Sequence, residues 1–266
     1  MSETSGAGRL RGEPSGGPGA VLIATSEFDV TTSTVVVGAG GGCLLIDPGV
    51  TVPELAGLAA ELAGRGLRPR VAWSTHPHWD HVLWHRELGD VPRYAAPAAV
   101  AIADRDREAI LGEARRSAPG HEAALIGRLA ALDAGAIPWD GPAAQLIIHD
   151  GHAPGHGAVF LPGSGTLIAG DMCSDIEIPL LDTLGADPVG DYRLALTRLS
   201  ALREVRRVIP GHGHAGDAAE FRRRLAADGA YLDALERGKP FSDPRITKDW
   251  LRAAHERQLR LARAGG

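Results

Sequence analysis

The chain is poor in cysteine, in long apolar runs and in excess basic charge, and each shortage excludes a class of protein. Its 266 residues include only Cys43 and Cys173, so no disulfide framework is expected and a reducing cytoplasm fits. No apolar run approaches the roughly 20 residues that a membrane-spanning helix needs. Lysine and arginine number 28 against 33 acidic residues, a net charge of −5, which argues against a nucleic-acid-binding surface.

The N-terminal segment differs in composition from the rest of the chain. Residues 1–19 are rich in glycine, serine and proline, which predicts a disordered tail. The segment lacks the basic-then-apolar pattern of a secretory signal, and this again favours a cytoplasmic protein. Residues 20–266 are numerous enough to form one large domain with a substantial core.

The densest run of potential metal ligands is Thr-His-Pro-His-Trp-Asp-His at residues 75–81. Its imidazoles and carboxylate suit zinc, iron or manganese. The apolar residues before it predict a strand, and since side chains two apart share one side of a strand, His76 and His78 can bind one ion together. We expect Asp80 to be the N-cap of a helix over residues 81–88, a turn that would carry Asp80 and His81 toward a second ion.

Three further strand-like segments end in the same chemistry. The strand predicted at residues 145–148 leads into a turn-rich loop that ends at His156. A second apolar strand delivers Asp171 after a glycine, and a third ends in Pro-Gly-His with His212. Functional side chains commonly lie where a strand gives way to a loop, so the four segments predict one shared site.

Taken together, the four segments resemble the metallo-β-lactamase fold superfamily. The resemblance covers roughly residues 20–215 and rests on four motifs in the family's order: His-x-His-x-Asp-His at 76–81, Pro-Gly-His at 154–156, Gly-Asp at 170–171 and Pro-Gly-His at 210–212. It implies an α/β fold, the four-layer αβ/βα sandwich. The alternation of strand-like and helical segments is consistent with two packed sheets flanked by helices.

The resemblance also implies two adjacent metal ions and a ligand for each position. His76, His78 and His156 would bind the first ion, while Asp80, His81 and His212 would bind the second, with Asp171 bridging the two. Two zinc ions are expected, with iron or manganese as alternatives.

Two further residues are assigned supporting places. Asp47 lies in an Asp-Pro-Gly sequence and has two interpretations, a carboxylate that supports the ligands from behind or an ordinary turn residue. His152 is expected near the site without binding metal.

Helical segments surround these motifs. Residues 97–132 are rich in alanine, arginine and glutamate and predict a helical insertion with a break at Pro119–Gly120. Its two interpretations are a solvated hairpin and a wall of the substrate pocket. Residues 218–263 predict two C-terminal helices. The last of these is expected to cover the core, with a docking helix or a homodimer contact as alternatives.

The expected activity follows from the inferred site. It is a metal-dependent hydrolase that uses a metal-bound hydroxide on a small-molecule ester, lactone, thioester or amide. Asp80 is the expected catalytic residue, because it could orient the water or relay a proton. Two alternatives stay open: a mononuclear iron persulfide dioxygenase, and a non-catalytic metal-binding protein on the same scaffold. Neither a nucleic acid nor a membrane is expected as a partner.

Overall fold

A computed structural model describes residues 10–11, 17–133, 135–238 and 241–264, and these form two sheets with helices on their outer sides. The first sheet runs in sequence order through β1 (Val21–Thr25), β2 (Thr32–Val37), β3 (Gly42–Ile46), β4 (Arg68–Trp73), β5 (Arg93–Ala95) and β6 (Ala130–Ala131). Strands β1 to β3 pair antiparallel, and β3 to β6 pair parallel. Parallel pairing aligns the carboxyl ends of β3 and β4, where functional loops can meet.

The second sheet has the order β11-β10-β9-β8-β7. Its strands are β7 (Gln145–His149), β8 (His156–Leu161), β9 (Thr166–Gly170), β10 (Arg207–Pro210) and β11 (Gly216–Asp217). Strands β9 and β10 are parallel, whereas the other neighbours are antiparallel. The ends of β9 and β10 therefore lie side by side, which brings the residues that follow them together.

Six α-helices are assigned in the described residues: α1 (Val52–Gly64), α2 (Pro97–Arg105), α3 (Arg107–Ser117), α4 (Pro188–Ser200), α5 (Ala218–Glu236) and α6 (Asp249–Ala264). Helix α1 begins at a capping box in which Thr51 and Glu54 satisfy each other's backbone N–H groups. No helix in the described part of the chain is long and apolar enough to cross a membrane.

Three apolar clusters hold these layers together. The central cluster contains side chains of both sheets, including Leu44 and Trp73 of the first and Val159 and Ile209 of the second. A second cluster joins the first sheet to α1, and a third joins the second sheet to α4, α5 and α6. The order helix, sheet, sheet, helix confirms the predicted αβ/βα sandwich.

The predicted helix over residues 81–88 is wrong. Two 3-10 helices, Trp79–His81 and Arg86–Leu88, occupy the region, so Asp80 lies inside the first of them rather than at an N-cap. The physical reason is burial, because three consecutive residues, Val82 to Trp84, are at most 4% exposed. An amphipathic surface helix would place only one side of such a run in the core.

The insertion over residues 97–132 is helical only in its first part. Helices α2 and α3 are divided at Asp106, which is the C-cap of one and the N-cap of the other. Pro119–Gly120 follows the end of α3 instead of separating two helices, and Gly120 has a φ of +104°. Beyond it the chain forms turns and then β6.

The predicted N-terminal tail has an ordered exception. Leu10 is 5% exposed, and its backbone N–H donates to Glu61 of α1 at 2.9 Å. Arg11 pairs with Ile23 of β1. Burial of the Leu10 side chain against α1 offsets the conformational entropy that is lost when these two residues become ordered. Residues 1–9 and 12–16 of the predicted tail lie outside the described residues.

Candidate metal centre

Seven histidine and aspartate side chains converge where β4, β9 and β10 end and where β7 connects to β8. We define the first ligand group as His76, His78 and His152, and the second ligand group as Asp80, His81 and His212, with Asp171 between them. Close backbone approach makes this possible, since Gly211 N–H donates to Gly170 C=O at 2.6 Å. A Cβ at position 211 would lie 2.0 Å from Asp171 Oδ1, so glycine is required there.

The first ligand group presents one nitrogen from each ring to a common point. His78 Nδ1 lies 3.0 Å from His76 Nε2 and 3.0 Å from His152 Nε2. The Asp171 Oδ2 atom is 3.4 Å from His76 Nε2 and 3.5 Å from His152 Nε2. His76 and His152 are buried, while His78 is exposed toward the cavity described below.

The second ligand group is buried throughout. His212 Nε2 lies 3.3 Å from His81 Nε2 and 3.2 Å from Asp80 Oδ2. Asp171 also reaches this group, with Oδ1 3.3 Å from His81 Nε2 and Oδ2 3.4 Å from His212 Nε2. One carboxylate therefore contacts histidines of both groups.

These atoms fit a bound metal better than they fit one another. Nitrogen ligands at about 2.0–2.1 Å from a tetrahedral zinc ion lie about 3.4 Å apart, close to the separations seen here. The Oδ1 atom of Asp171 is buried and has no hydrogen-bond partner among the described residues. A buried carboxylate oxygen without a hydrogen bond is costly, and a divalent cation would compensate it.

The ring nitrogens that face away from the centre have partners of their own. His76 Nδ1 lies 3.0 Å from the Thr75 hydroxyl, and His152 Nδ1 is 2.9 Å from the Leu180 carbonyl. His212 Nδ1 is 3.0 Å from the Asp29 carbonyl. Because a carbonyl oxygen only accepts, Nδ1 of His152 and of His212 carries the proton. Partners of this kind orient metal-binding histidines.

Asp47 lies behind the second ligand group. Its Oδ2 is 3.0 Å from His81 Nδ1. Its two oxygens also accept from the Thr75 backbone N–H at 2.8 Å and from the Thr75 hydroxyl at 2.7 Å. Asp47 also has a φ of +47° and lies at a bend of the backbone. Of the two interpretations that the sequence left open, the structure shows the supporting carboxylate.

The structure places His152 in the first ligand group instead of the predicted His156, and we therefore propose His152 as the ligand of the first ion. The lone pair of His156 Nε2 is occupied, because it accepts a hydrogen bond from the Asp171 backbone N–H at 3.1 Å. His156 is the first residue of β8 and pairs with His149 of β7, and its ring stacks on that of His149 with centroids 4.6 Å apart. The sequence places two histidines beside one Pro-Gly pair and gives no basis for choosing between them.

The histidines of the two groups differ in charge. Burial, reinforced by the nearby His81, lowers the pKa of His76 well below its usual value, and burial lowers the pKa of His152 to about 3. For His81 burial acts in the same direction, but three carboxylates overcome it and raise the pKa to about 9: Asp171, Asp80 and Asp47. Burial also opposes ionisation of His212, yet Asp171 and other nearby carboxylates raise its pKa well above the usual value.

A cavity of about 1440 Å³ opens above the two groups. Its walls come from α2 and α3, from the segment around residues 180–185 and from α6, and they include Ile102, Ile110, Leu181 and Trp250. Of the two interpretations of the insertion, the structure places its helices at the wall of this cavity. A small molecule that entered the cavity would reach both groups.

Comparison with known proteins agrees with this geometry. The family model of the metallo-beta-lactamase superfamily matches residues 27–212. A hydroxyacylglutathione hydrolase of Rhodobacter capsulatus is 30% identical over 243 residues, 85% of this chain and 80% of that protein. The acyl-coenzyme A thioesterase MBLAC2 of Gallus gallus is 29% identical over 191 residues, 64% of this chain and 68% of that protein.

A solved structure extends the likeness to the whole fold. The crystal structure of a beta-lactamase domain protein from Burkholderia ambifaria superposes with a TM-score of 0.70 at 18% identity, covering 97% of this chain and 88% of that one. Such low identity shows a shared fold and leaves the activity to the family match and the curated relatives. The chain therefore belongs to the metallo-β-lactamase superfamily and is a metal-binding hydrolase of that family.

Proposed function

We propose that this protein hydrolyses a small-molecule thioester with two divalent metal ions, which we expect to be zinc. The observation that carries the proposal is the position of Asp171, whose carboxylate lies within 3.5 Å of histidine nitrogens of both ligand groups. The names of the two curated relatives favour the thioester within the wider class of esters, lactones and amides, because both describe an acyl group carried on a thiol.

Each ion would have its own ligand group and would share Asp171. His76, His78 and His152 would hold the first ion, and the second would be held by Asp80, His81 and His212. When bound, such ions polarise a carbonyl oxygen and lower the pKa of a water molecule to about 7. The number of ligands favours two ions over one, since seven converging side chains exceed the four ligands of a tetrahedral zinc ion.

We assign to Asp80 the role of orienting the attacking water molecule. The Asp80 carboxyl is buried, which opposes its ionisation, but His81 and His212 lower its pKa, so it is a carboxylate at neutral pH. As a carboxylate it can accept a hydrogen bond from the attacking water and so orient it. The water oxygen bonds to the thioester carbon, the carbon–sulfur bond breaks, and the products are a carboxylic acid and a thiol.

Metal analysis with a substrate panel tests the proposal. We expect about two zinc ions per chain, and turnover of thioesters above that of oxygen esters, lactones, amides and β-lactams. One iron per chain, with oxygen consumption on a persulfide, would support the dioxygenase alternative instead. Bound metal without turnover of any substrate would support the non-catalytic alternative.

A variant separates the second ion from the first. Asp80→Ala removes a second-group ligand together with the residue that orients the water, so we expect the first ion to remain and hydrolysis to be largely lost. Metal content and thioester turnover are measured on the same preparation. Turnover near the wild-type rate would show that Asp80 and the second ion are dispensable.

A further inference from the structure

The segment that supports His152 has no secondary structure of its own. Residues 177–182 lie between β9 and α4 outside any helix or strand. Within this segment the Leu180 carbonyl accepts the Nδ1–H of His152 at 2.9 Å. Because the proton of His152 is on Nδ1, its Nε2 has a free lone pair. That lone pair is directed at Asp171 and His78. The position of one loop carbonyl thus determines which nitrogen His152 offers to the first ligand group.

One side chain of the C-terminal helix, Gln258, forms hydrogen bonds to the residues on both sides of Leu180. The Gln258 side-chain oxygen accepts the Leu181 N–H at 2.7 Å, and its Nε2 donates to the Pro179 carbonyl at 3.0 Å. These two hydrogen bonds bracket Leu180. We call the pair the Gln258 clamp. It replaces the ladder of hydrogen bonds that a neighbouring strand would otherwise supply.

The clamp is anchored in the core. Gln258 is 3% exposed, and its Nε2 also donates to the hydroxyl of Tyr231 at 2.7 Å. That hydroxyl lies 3.0 Å from Nδ1 of His255 on the same helix α6, and Tyr231 itself is fully buried in α5. Both hydrogens of the Gln258 amide therefore have acceptors, and its oxygen has a donor. The amide has one orientation that satisfies all partners.

We propose that Gln258 is a positioning residue for the metal centre, which acts on His152 through the Leu180 carbonyl. The inference rests on the proposed function in so far as His152 is a metal ligand. It extends the centre to α6, beyond residues 27–212 that the family model matches. The C-terminal helix then contributes to metal affinity as well as covering the core.

The test uses Gln258→Met in the full chain, which keeps the length of the side chain and removes the clamp. In metal-free protein, nitrogen-resolved NMR of the imidazole rings should show His152 as the Nδ1–H tautomer in the wild type and as a mixture in the variant. Metal titration should show the ion of the first ligand group bound about 10–100-fold more weakly. Binding by the second ligand group should stay at its wild-type strength.

Two controls separate positioning from general stability. Leu251→Ala removes a fully buried side chain of α6 and should lower the melting temperature without changing the His152 tautomer or metal affinity. Tyr231→Phe removes the anchoring hydroxyl but leaves both clamp hydrogen bonds, so its effect should be the smaller one. Gln258→Glu keeps the acceptor for Leu181 and loses both donors, so it should give an intermediate loss.

The outcomes are distinguishable. If Leu251→Ala weakens the first ion as much as Gln258→Met does, Gln258 acts only through stability and the inference is overturned. An unchanged His152 tautomer in Gln258→Met overturns it as well. A wild-type protein that binds no metal would contradict the proposed function, while the tautomer measurement would still decide whether the clamp positions His152.

Discussion

The two ligand groups lie side by side, yet their histidines carry different charges. In the first group burial dominates, so His76 and His152 are neutral at physiological pH. In the second group Asp80 and Asp47 add negative charge beside His81, which remains protonated up to about pH 9 in the absence of metal. The supporting partner differs as well, because His152 faces the neutral Leu180 carbonyl and His81 faces the Asp47 carboxylate.

The difference shows that neighbouring charge, rather than residue type, sets the state of each imidazole. The first group is ready to bind a cation without losing protons. The second group already holds internal ion pairs, and a metal must displace the protons of His81 and His212. The two sites are therefore expected to differ in how their affinity responds to substitution and to pH.

Removing the shared ligand should have the largest effect. Asp171→Asn leaves a side chain of the same shape but without the charge that lies between the groups, so both ions should bind weakly and hydrolysis should be lost. The fall in thioester turnover should exceed the about 10–100-fold typical of supporting residues. Metal content by mass spectrometry provides the check. Retention of either ion at full strength would show that the two groups are independent.

The next test concerns the identity of the third histidine in the first group. His152→Ala should remove one ion and leave the second. His156→Gln, which keeps an acceptor for the Asp171 N–H, should retain both ions. Metal stoichiometry of the two purified variants decides between the histidines, and loss of an ion only in the His156 variant would restore the assignment made from the sequence.

Asp47 provides a test of support in the second group. Asp47→Asn removes the charge beside His81 Nδ1 while keeping an oxygen for Thr75, so the second ion should bind about 10–100-fold more weakly. The first ion should be unaffected. Titration with a chromophoric chelator measures both steps, and an equal loss at both groups would contradict a local role.

Competition between protons and the metal is expected to change metal affinity gradually, in small steps over several pH units. Because His81 has a pKa of about 9 in the metal-free centre, affinity of the second group should fall on acidification by about tenfold per pH unit for each proton displaced. The first group should hold its affinity between about pH 6 and 8, since burial keeps the pKa of His152 near 3. Parallel slopes for the two ions would remove the proposed electrostatic difference.

Much of this centre could be predicted from local sequence. The sequence correctly predicts that His76 and His78 act together, although β4 ends at Trp73 and a bend, rather than the strand itself, brings their imidazoles within 3.0 Å. Asp171 and His212 follow strands that prove to be neighbours, β9 and β10. These arrangements depend on short segments whose conformation is set by their own residues and by Pro or Gly at the strand ends.

Other features depended on distant contacts. Residues Val82 to Trp84 do not form the predicted helix, because the core buries all three side chains. The sequence near His152 does not predict its contact with the Leu180 carbonyl. It also does not predict the role of Gln258, which lies 106 positions away by residue number. Local propensity is a weak prior where tertiary burial and long-range hydrogen bonds decide the conformation.

The sequence by itself determined the fold family, the kind of metal ligands and six of the seven side chains that meet at the centre. Only the tertiary structure decided that His152 rather than His156 joins them. The reason is that both histidines have the same intrinsic chemistry, and the choice depends on what lies beside each ring. His156 accepts a backbone N–H from Asp171, whereas the Leu180 carbonyl turns the free nitrogen of His152 toward the centre.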